Sequence, residues 1–200
     1  MPISLIQRGS GCVDRISLKP LNALLGAEPR VDSIGAVTIS ENAGIALASL
    51  ATRRGRADRV AQLANGLGLD LPGPGRASGS APYAALWLGP DQWLIMAVGH
   101  VDQDIAGALE TAFGAAASVT EQTGGWVCLD VTCPGLPALF ERLCAVDSAA
   151  MEPGQGTRTV IEHLGCYIIR IDAAQFRLFG PRSSAGSLHH ALTTAAQAIA

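Results

Sequence analysis

Residues 83–98 read YAALWLGPDQWLIMAV, two apolar runs parted by Gly89-Pro90-Asp91-Gln92. Proline presets the φ of a turn and aspartate tolerates a left-handed backbone, so the pattern predicts two antiparallel strands and a tight connection. On its N-terminal side lies Asp70 to Pro82, DLPGPGRASGSAP, dense enough in Gly, Pro and Ser that an irregular linker or functional loop is expected. Further back, Arg56 to Leu67 carries Ala57, Val60, Leu63, Ala64 and Leu67 at the spacing of one buried helical face, with Gly66 and Gly68 to close the helix. Ala36 to Arg53 (AVTISENAGIALASLATR) mixes β-branched residues with apolar alternation and reads as a strand ending before Arg54-Gly55. On the C-terminal side, Ile105, Ala108, Leu109 and Ala112 predict a helix over Asp102 to Phe113 with Asp102 as its N-cap. The order is strand, helix, hairpin, helix.

The second half repeats that order. Trp126 to Thr132 (WVCLDVT) reads as a strand, Pro134-Gly135 breaks it, and Leu136, Leu139, Phe140 and Leu143 define an amphipathic helix. After Glu152 to Gly156, Thr157 to Ile171 and Gln175 to Phe179 read as a strand pair around Asp172 to Ala174. A last helix starts at Ser184 or Ser187, with Leu188, Leu192, Ala195 and Ile199 on one face. Gly55 and Gly135 are 80 residues apart, Trp93 and Phe176 83 apart, and so constant an offset points to an internal duplication. The expected fold is α+β: two tandem strand-helix-hairpin-helix units, each a small sheet with helices on one face, sharing one core. Residues 1–34 form an N-terminal extension, 35–116 the first unit and 117–200 the second.

Charged residues make up 16% of the 200 residues, against roughly 25% in an average soluble domain. Mean hydropathy is positive, +0.29, so part of the exterior is expected to be covered by a partner. Net charge is −3, the pI near 5.7 and aromatic content 4%, which argues against nucleic acid as that partner. The longest apolar stretches, such as Trp93 to Val98, fall far short of the roughly 20 residues a membrane span requires. Residues 1–10, MPISLIQRGS, lack the basic start and apolar block of a secretory signal, and a cytoplasmic protein is expected. Cys12, Cys128, Cys133, Cys144 and Cys166 form an odd set without C-x-x-C or zinc spacing to a histidine, and read as small buried thiols.

Motifs for chemistry are few. No G-x-S-x-G and no G-x-x-x-x-G-K-[ST] occurs. Gly73-Pro74-Gly75 sits in a proline-interrupted loop, and Gly154-Gln155-Gly156 leads into a strand, so neither suits a dinucleotide pyrophosphate at a helix start. Of His100, His163, His189 and His190, only the last two are adjacent, and on a helix they point about 100° apart. His163 and Asp130 are the candidates for proton transfer. Arg53, Arg54, Arg56 and Arg59 form the densest charged patch, suited either to carboxylates on a partner or to a solvated turn. Trp87, Trp93 and Trp126 are either interface anchors or core.

Three groups of residues carry a family resemblance: Thr123 to Val127 with Leu136 to Leu143 and Glu152-Pro153-Gly154; Trp87 to Leu94; and Phe179 to Ser183. Together they resemble the gamma subunit of heterotetrameric sarcosine oxidase, over about residues 40–200. The resemblance implies a fold similar to the folate-binding aminomethyltransferase domain. It also implies a non-catalytic subunit of an oxidase that demethylates sarcosine to glycine and hydrogen peroxide, the one-carbon unit leaving as formaldehyde or on tetrahydrofolate. Alpha, beta and delta subunits would be the partners, and FAD, FMN, NAD, tetrahydrofolate and zinc would sit on those subunits. It assigns no catalytic, cofactor or metal residue to this chain. The alternative is a free-standing folate-binding or one-carbon transfer domain, in which Asp130 or Glu162 would meet the pterin. A third reading is an assembly module with no metabolic link.

Overall fold

A computed structural model describes residues 21–79, 82–101 and 103–200. In chain order the regular elements are β1 (Val31–Ile34), β2 (Val37–Glu41), β3 (Ile45–Thr52), α1 (Ala57–Gly66), β4 (Ala77–Ser78), β5 (Ala84–Gly89), β6 (Gln92–Val98), α2 (Ile105–Phe113) and β7 (Ala117–Glu121) in the first part. The second part contributes β8 (Trp126–Thr132), α3 (Leu136–Phe140), β9 (Gly156–Ile161), β10 (Leu164–Arg170), β11 (Gln175–Pro181) and α4 (Ala185–Gln197).

The strands build two antiparallel sheets, a five-stranded one in the order β4-β5-β6-β3-β7 and a six-stranded one in the order β1-β2-β8-β11-β10-β9. From the opposite edge the first runs β7-β3-β6-β5-β4, which matches β2-β8-β11-β10-β9 strand for strand, with β1 added outside. Trp93 and Phe176 are each the second residue of the middle strand, opposite Leu50 and Val131. The fold is α+β as expected, and the repeat predicted from the constant offset is visible in it.

Alternation along the strands divides the apolar residues between two faces. On β3, Ala46, Ala48 and Leu50 turn outward to Val60 and Ala64 of α1 and Leu109 and Phe113 of α2. On β8, Val127, Leu129 and Val131 turn outward to Phe140 of α3 and Leu188 and Leu192 of α4. The intervening residues turn inward, where Ile45, Leu47, Leu94 and Met96 meet Cys128, Ile169 and Phe179. The result is four layers, helices–sheet–sheet–helices, with three apolar clusters where one shared core was expected.

Several elements differ from expectation. Ala36 to Arg53 is two strands, because at Asn42 the chain leaves one sheet for the other: Asn42 Oδ1 accepts from the Gly44 N–H at 3.2 Å and its amide donates to Asp130 at 2.9 Å. Both sheets therefore draw strands from across the expected limits: β1 lies within 1–34 and β2 within 35–116, while β7, within 117–200, pairs with β3. Thr157 to Ile171 is a hairpin rather than one strand, reversed at Glu162 and His163 with φ of +48° and +65°. The Asp70 to Pro82 loop contains β4, held because Ser78 Oγ donates to the Asp70 carbonyl and accepts from the Ala85 N–H. Asp104, accepting from the Gly107 N–H at 2.8 Å, caps α2; Asp102 lies outside the described residues, as does Cys12. The helix read at Leu136 to Leu143 is regular only to Phe140, after which turn-type bonds carry the chain to Cys144.

Candidate functional site

Asp130 on β8 and Arg177 on β11 stand opposite each other in register, and both point toward the other sheet. Arg177 donates from Nε to Oδ1 at 2.7 Å and from Nη2 to Oδ2 at 2.9 Å, a forked contact that fixes both side chains. Their side chains are only 16% and 14% exposed. Burial disfavours the guanidinium charge, but the hydrogen bonds and charge of Asp130 outweigh it and hold Arg177 above its ordinary pKa. With Asn42 as a third donor, both oxygens of Asp130 are engaged. As a candidate base or pterin ligand, Asp130 is thus committed to structure. Glu162 and His163 are exposed on the β9–β10 turn and make no hydrogen bond to Asp130, so the structure does not assemble the three into one centre.

A second polar cluster escaped the reading of the sequence. His189 on α4 is buried, with Nε2 at 2.7 Å from Oδ2 of Asp32 on β1. Arg30 donates to the same carboxylate from Nε at 2.7 Å and Nη2 at 3.2 Å. The Arg30 hydrogen bond holds the Asp32 carboxyl below the usual carboxylate range; burial opposes it and His189 assists. Glu41 is buried beside these residues and accepts from the Leu24 and Arg30 N–H groups at 3.1 and 3.2 Å. No local signal connects Asp32 with His189, 157 residues away. Of the other histidines, His100 is half-buried and His190 exposed.

Arg53, Arg54, Arg56 and Arg59 are exposed around the start of α1, and among the described residues none of them forms an ion pair. Arg53 donates to Ser118 Oγ at 3.2 Å and Arg59 to Gln62 Oε1 at 2.6 Å, so most of their donors face solvent. The indoles of Trp93 and Trp126 are tied down, donating to the Pro72 carbonyl at 2.8 Å and to Gln122 Oε1 at 3.2 Å; Trp126 also packs 5.5 Å from the Tyr167 ring. Trp87 is half-buried opposite Trp93. Gly73-Pro74-Gly75 leads to β4 and Gly154-Gln155-Gly156 to β9, so neither opens a helix. Cys128, Cys133 and Cys166 are buried free thiols, and burial pushes Cys166 up to about 11. Among the described residues, no group of three or more His, Cys, Asp or Glu is placed to hold a metal ion. Nor, among them, is any helix long and apolar enough to cross a membrane.

No protein-family model matches the sequence, and no curated protein matches it. Solved structures do match. A chain of heterotetrameric sarcosine oxidase from Corynebacterium sp. U-96, in complex with pyrrole 2-carboxylate, superposes with a TM-score of 0.70 at 24% identity, covering 84% of this chain and 87% of that one. The likeness is one of fold. The glycine cleavage system aminomethyltransferase T from Bartonella henselae superposes with a TM-score of 0.58 at 14% identity, covering 78% of this chain and 48% of that one. This chain therefore spans about half the length of the aminomethyltransferase. The likeness expected from Trp87 to Leu94, Thr123 to Val127 and Leu136 to Leu143, to a sarcosine oxidase chain and to an aminomethyltransferase, is found at the level of the fold.

Proposed function

We propose that this chain is a non-catalytic gamma subunit of a cytoplasmic heterotetrameric sarcosine oxidase. Its role is to hold together alpha, beta and delta subunits that carry FAD, FMN, NAD, tetrahydrofolate and zinc and that oxidatively demethylate sarcosine. One observation carries the reading: the fold correspondence with a sarcosine oxidase chain is nearly end to end on both sides, 84% and 87%, whereas the aminomethyltransferase is matched over only 48% of its length. The low charge of the chain and the solvent-facing arginines at the start of α1 support it, since guanidinium forks suit carboxylates on a partner. The one-carbon transfer alternative draws on the aminomethyltransferase fold, but Asp130 is bound to Arg177 and Asn42, and Glu162 sits on an exposed turn.

Co-expression of the alpha, beta and delta subunits with and without this chain tests the proposal. The expected result is a four-chain complex by size exclusion whose sarcosine-dependent peroxide formation falls when this chain is left out. Arg53→Glu, Arg54→Glu and Arg56→Glu together are expected to lower complex yield while the subunit stays folded, because exposed turn charges add little to its own stability. A fully active three-chain oxidase would defeat the proposal. Unchanged yield in the triple variant would remove only the arginine turn from the contact.

A further inference from the structure

At one end of the sandwich the two sheets part around a slot of about 280 Å³. Ala84, Met96 and Val98 line it from the five-stranded sheet, Ile169 and Arg177 from the six-stranded one, and Ile171 from just past the end of β10. Met96 and Ile169 are each 3% exposed and form its floor; Val98 and Ile171, 55% and 38% exposed, form an apolar rim open to solvent. The dominant polar feature is Arg177, whose Nε and Nη2 are taken by Asp130; no other described residue accepts from its Nη1. A guanidinium held in this way is a fixed donor, set before any ligand arrives.

Charge decides what fits. Asp130 already neutralises Arg177, so a second carboxylate would bring a net negative charge into an apolar slot, a cost that one more hydrogen bond does not offset. A purely apolar guest would cover the Nη1 donor without pairing it, which is also unfavourable. We propose that the slot is a binding site for a small uncharged molecule, an apolar body of about ten heavy atoms with one hydrogen-bond acceptor directed at Arg177. This site is separate from the arginine turn at α1 and does not depend on the subunit reading.

The test is an NMR titration of the full chain carrying 13C-methyl labels on Met and Ile. The probes are acetanilide, benzoate as a charged control, and ethylbenzene as a control without an acceptor. Acetanilide is expected to shift the Met96, Ile169 and Ile171 methyls saturably, with a Kd at least tenfold below that of either control. Ala84→Leu, which fills the slot from a half-buried position, is expected to remove those shifts while the Ile39 and Ile95 methyls stay in place. The proposal is overturned by benzoate binding as tightly as acetanilide, by unchanged acetanilide binding in Ala84→Leu, or by silent slot methyls at the solubility limit of acetanilide. Silent methyls combined with weaker subunit assembly in Ile171→Asp would identify the slot as a protein contact instead, which also overturns it.

Discussion

Arg177 is tolerated between two sheets because Asp130 pairs with its charge and Asn42 holds Asp130 in place, and that arrangement has a measurable consequence. Asp130→Ala leaves a buried guanidinium without its counter-charge and is expected to cost about 3 kcal/mol or more. In a chain of this size that lowers the thermal midpoint by roughly 6–12 °C, readable by calorimetry. The double variant Asp130→Leu/Arg177→Met should recover most of the loss, since a well-packed apolar pair of similar volume is often as stable as a buried ion pair. Cys166 adds a pH dependence. Burial raises its thiol from 9.0 to about 11, so folding favours the neutral form. Its contribution is complete below about pH 9 and is lost as pH rises toward 11; urea denaturation midpoints should fall across that window and fall less in Cys166→Ala. At this scale the sequence was informative about residue types and silent about partners. Asp130 stood out as an acid in an apolar strand, but the guanidinium that commits it lies 47 residues on, and only the β8–β11 register brings the two together. His189 was visible only as one of two adjacent histidines, because its partner Asp32 sits in a short strand that has no hydrophobic pattern of its own.

Among the elements, the β9–β10 turn carries the clearest local conflict. A two-residue hairpin turn with both residues at positive φ favours Asn-Gly, yet Glu162 and His163 occupy it at +48° and +65°. Placing L residues there costs roughly 1–2 kcal/mol each. Asn keeps a Cβ and Gly loses more chain entropy on folding, so Glu162→Asn with His163→Gly is expected to recover about 1 kcal/mol of this and raise the thermal midpoint by roughly 2–4 °C, measured by circular dichroism, with no effect on assembly or on peroxide formation. A loss of activity in that variant would return His163 to the proton-transfer candidates and Glu162 to the pterin-meeting ones. The same conflict explains why Thr157 to Ile171 reads as one strand, since nothing in Glu-His announces a reversal. Conversely, the end of α1 was legible. Gly68 takes φ +65°, its N–H bonds the Asn65 carbonyl at 3.1 Å, and the Leu69 N–H bonds the Ala64 carbonyl at 2.9 Å, which is the closure that Gly66 and Gly68 announced. The hairpin at residues 83–98 was legible for a similar reason, with Asp91 at φ +58° in its turn. β1 and β7 were not, because each is a short edge strand without a run of buried apolar residues, β1 turning straight back onto β2 and β7 pairing with the distant β3.

For the whole molecule, the duplication was readable from two offsets, but the exchange of strands between the sheets was not. A constant offset reports that a unit recurs, and it says nothing about which neighbour completes each sheet. β2 pairs with β8, so the first part of the chain supplies the β1–β2 edge of the second part's sheet, and the two sheets then close on the inner cluster of Ile45, Leu47, Met96, Ile169 and Phe179. A body tied together in this way presents fixed surfaces, which suits the proposed role of holding other subunits. The most direct measurement is to tag the chain, isolate it from its native host under mild conditions, and assay what comes with it. The account predicts a flavin-yellow complex of four different chains that forms peroxide when given sarcosine. Recovery of the chain alone, or in a colourless assembly without sarcosine-dependent peroxide, would contradict it.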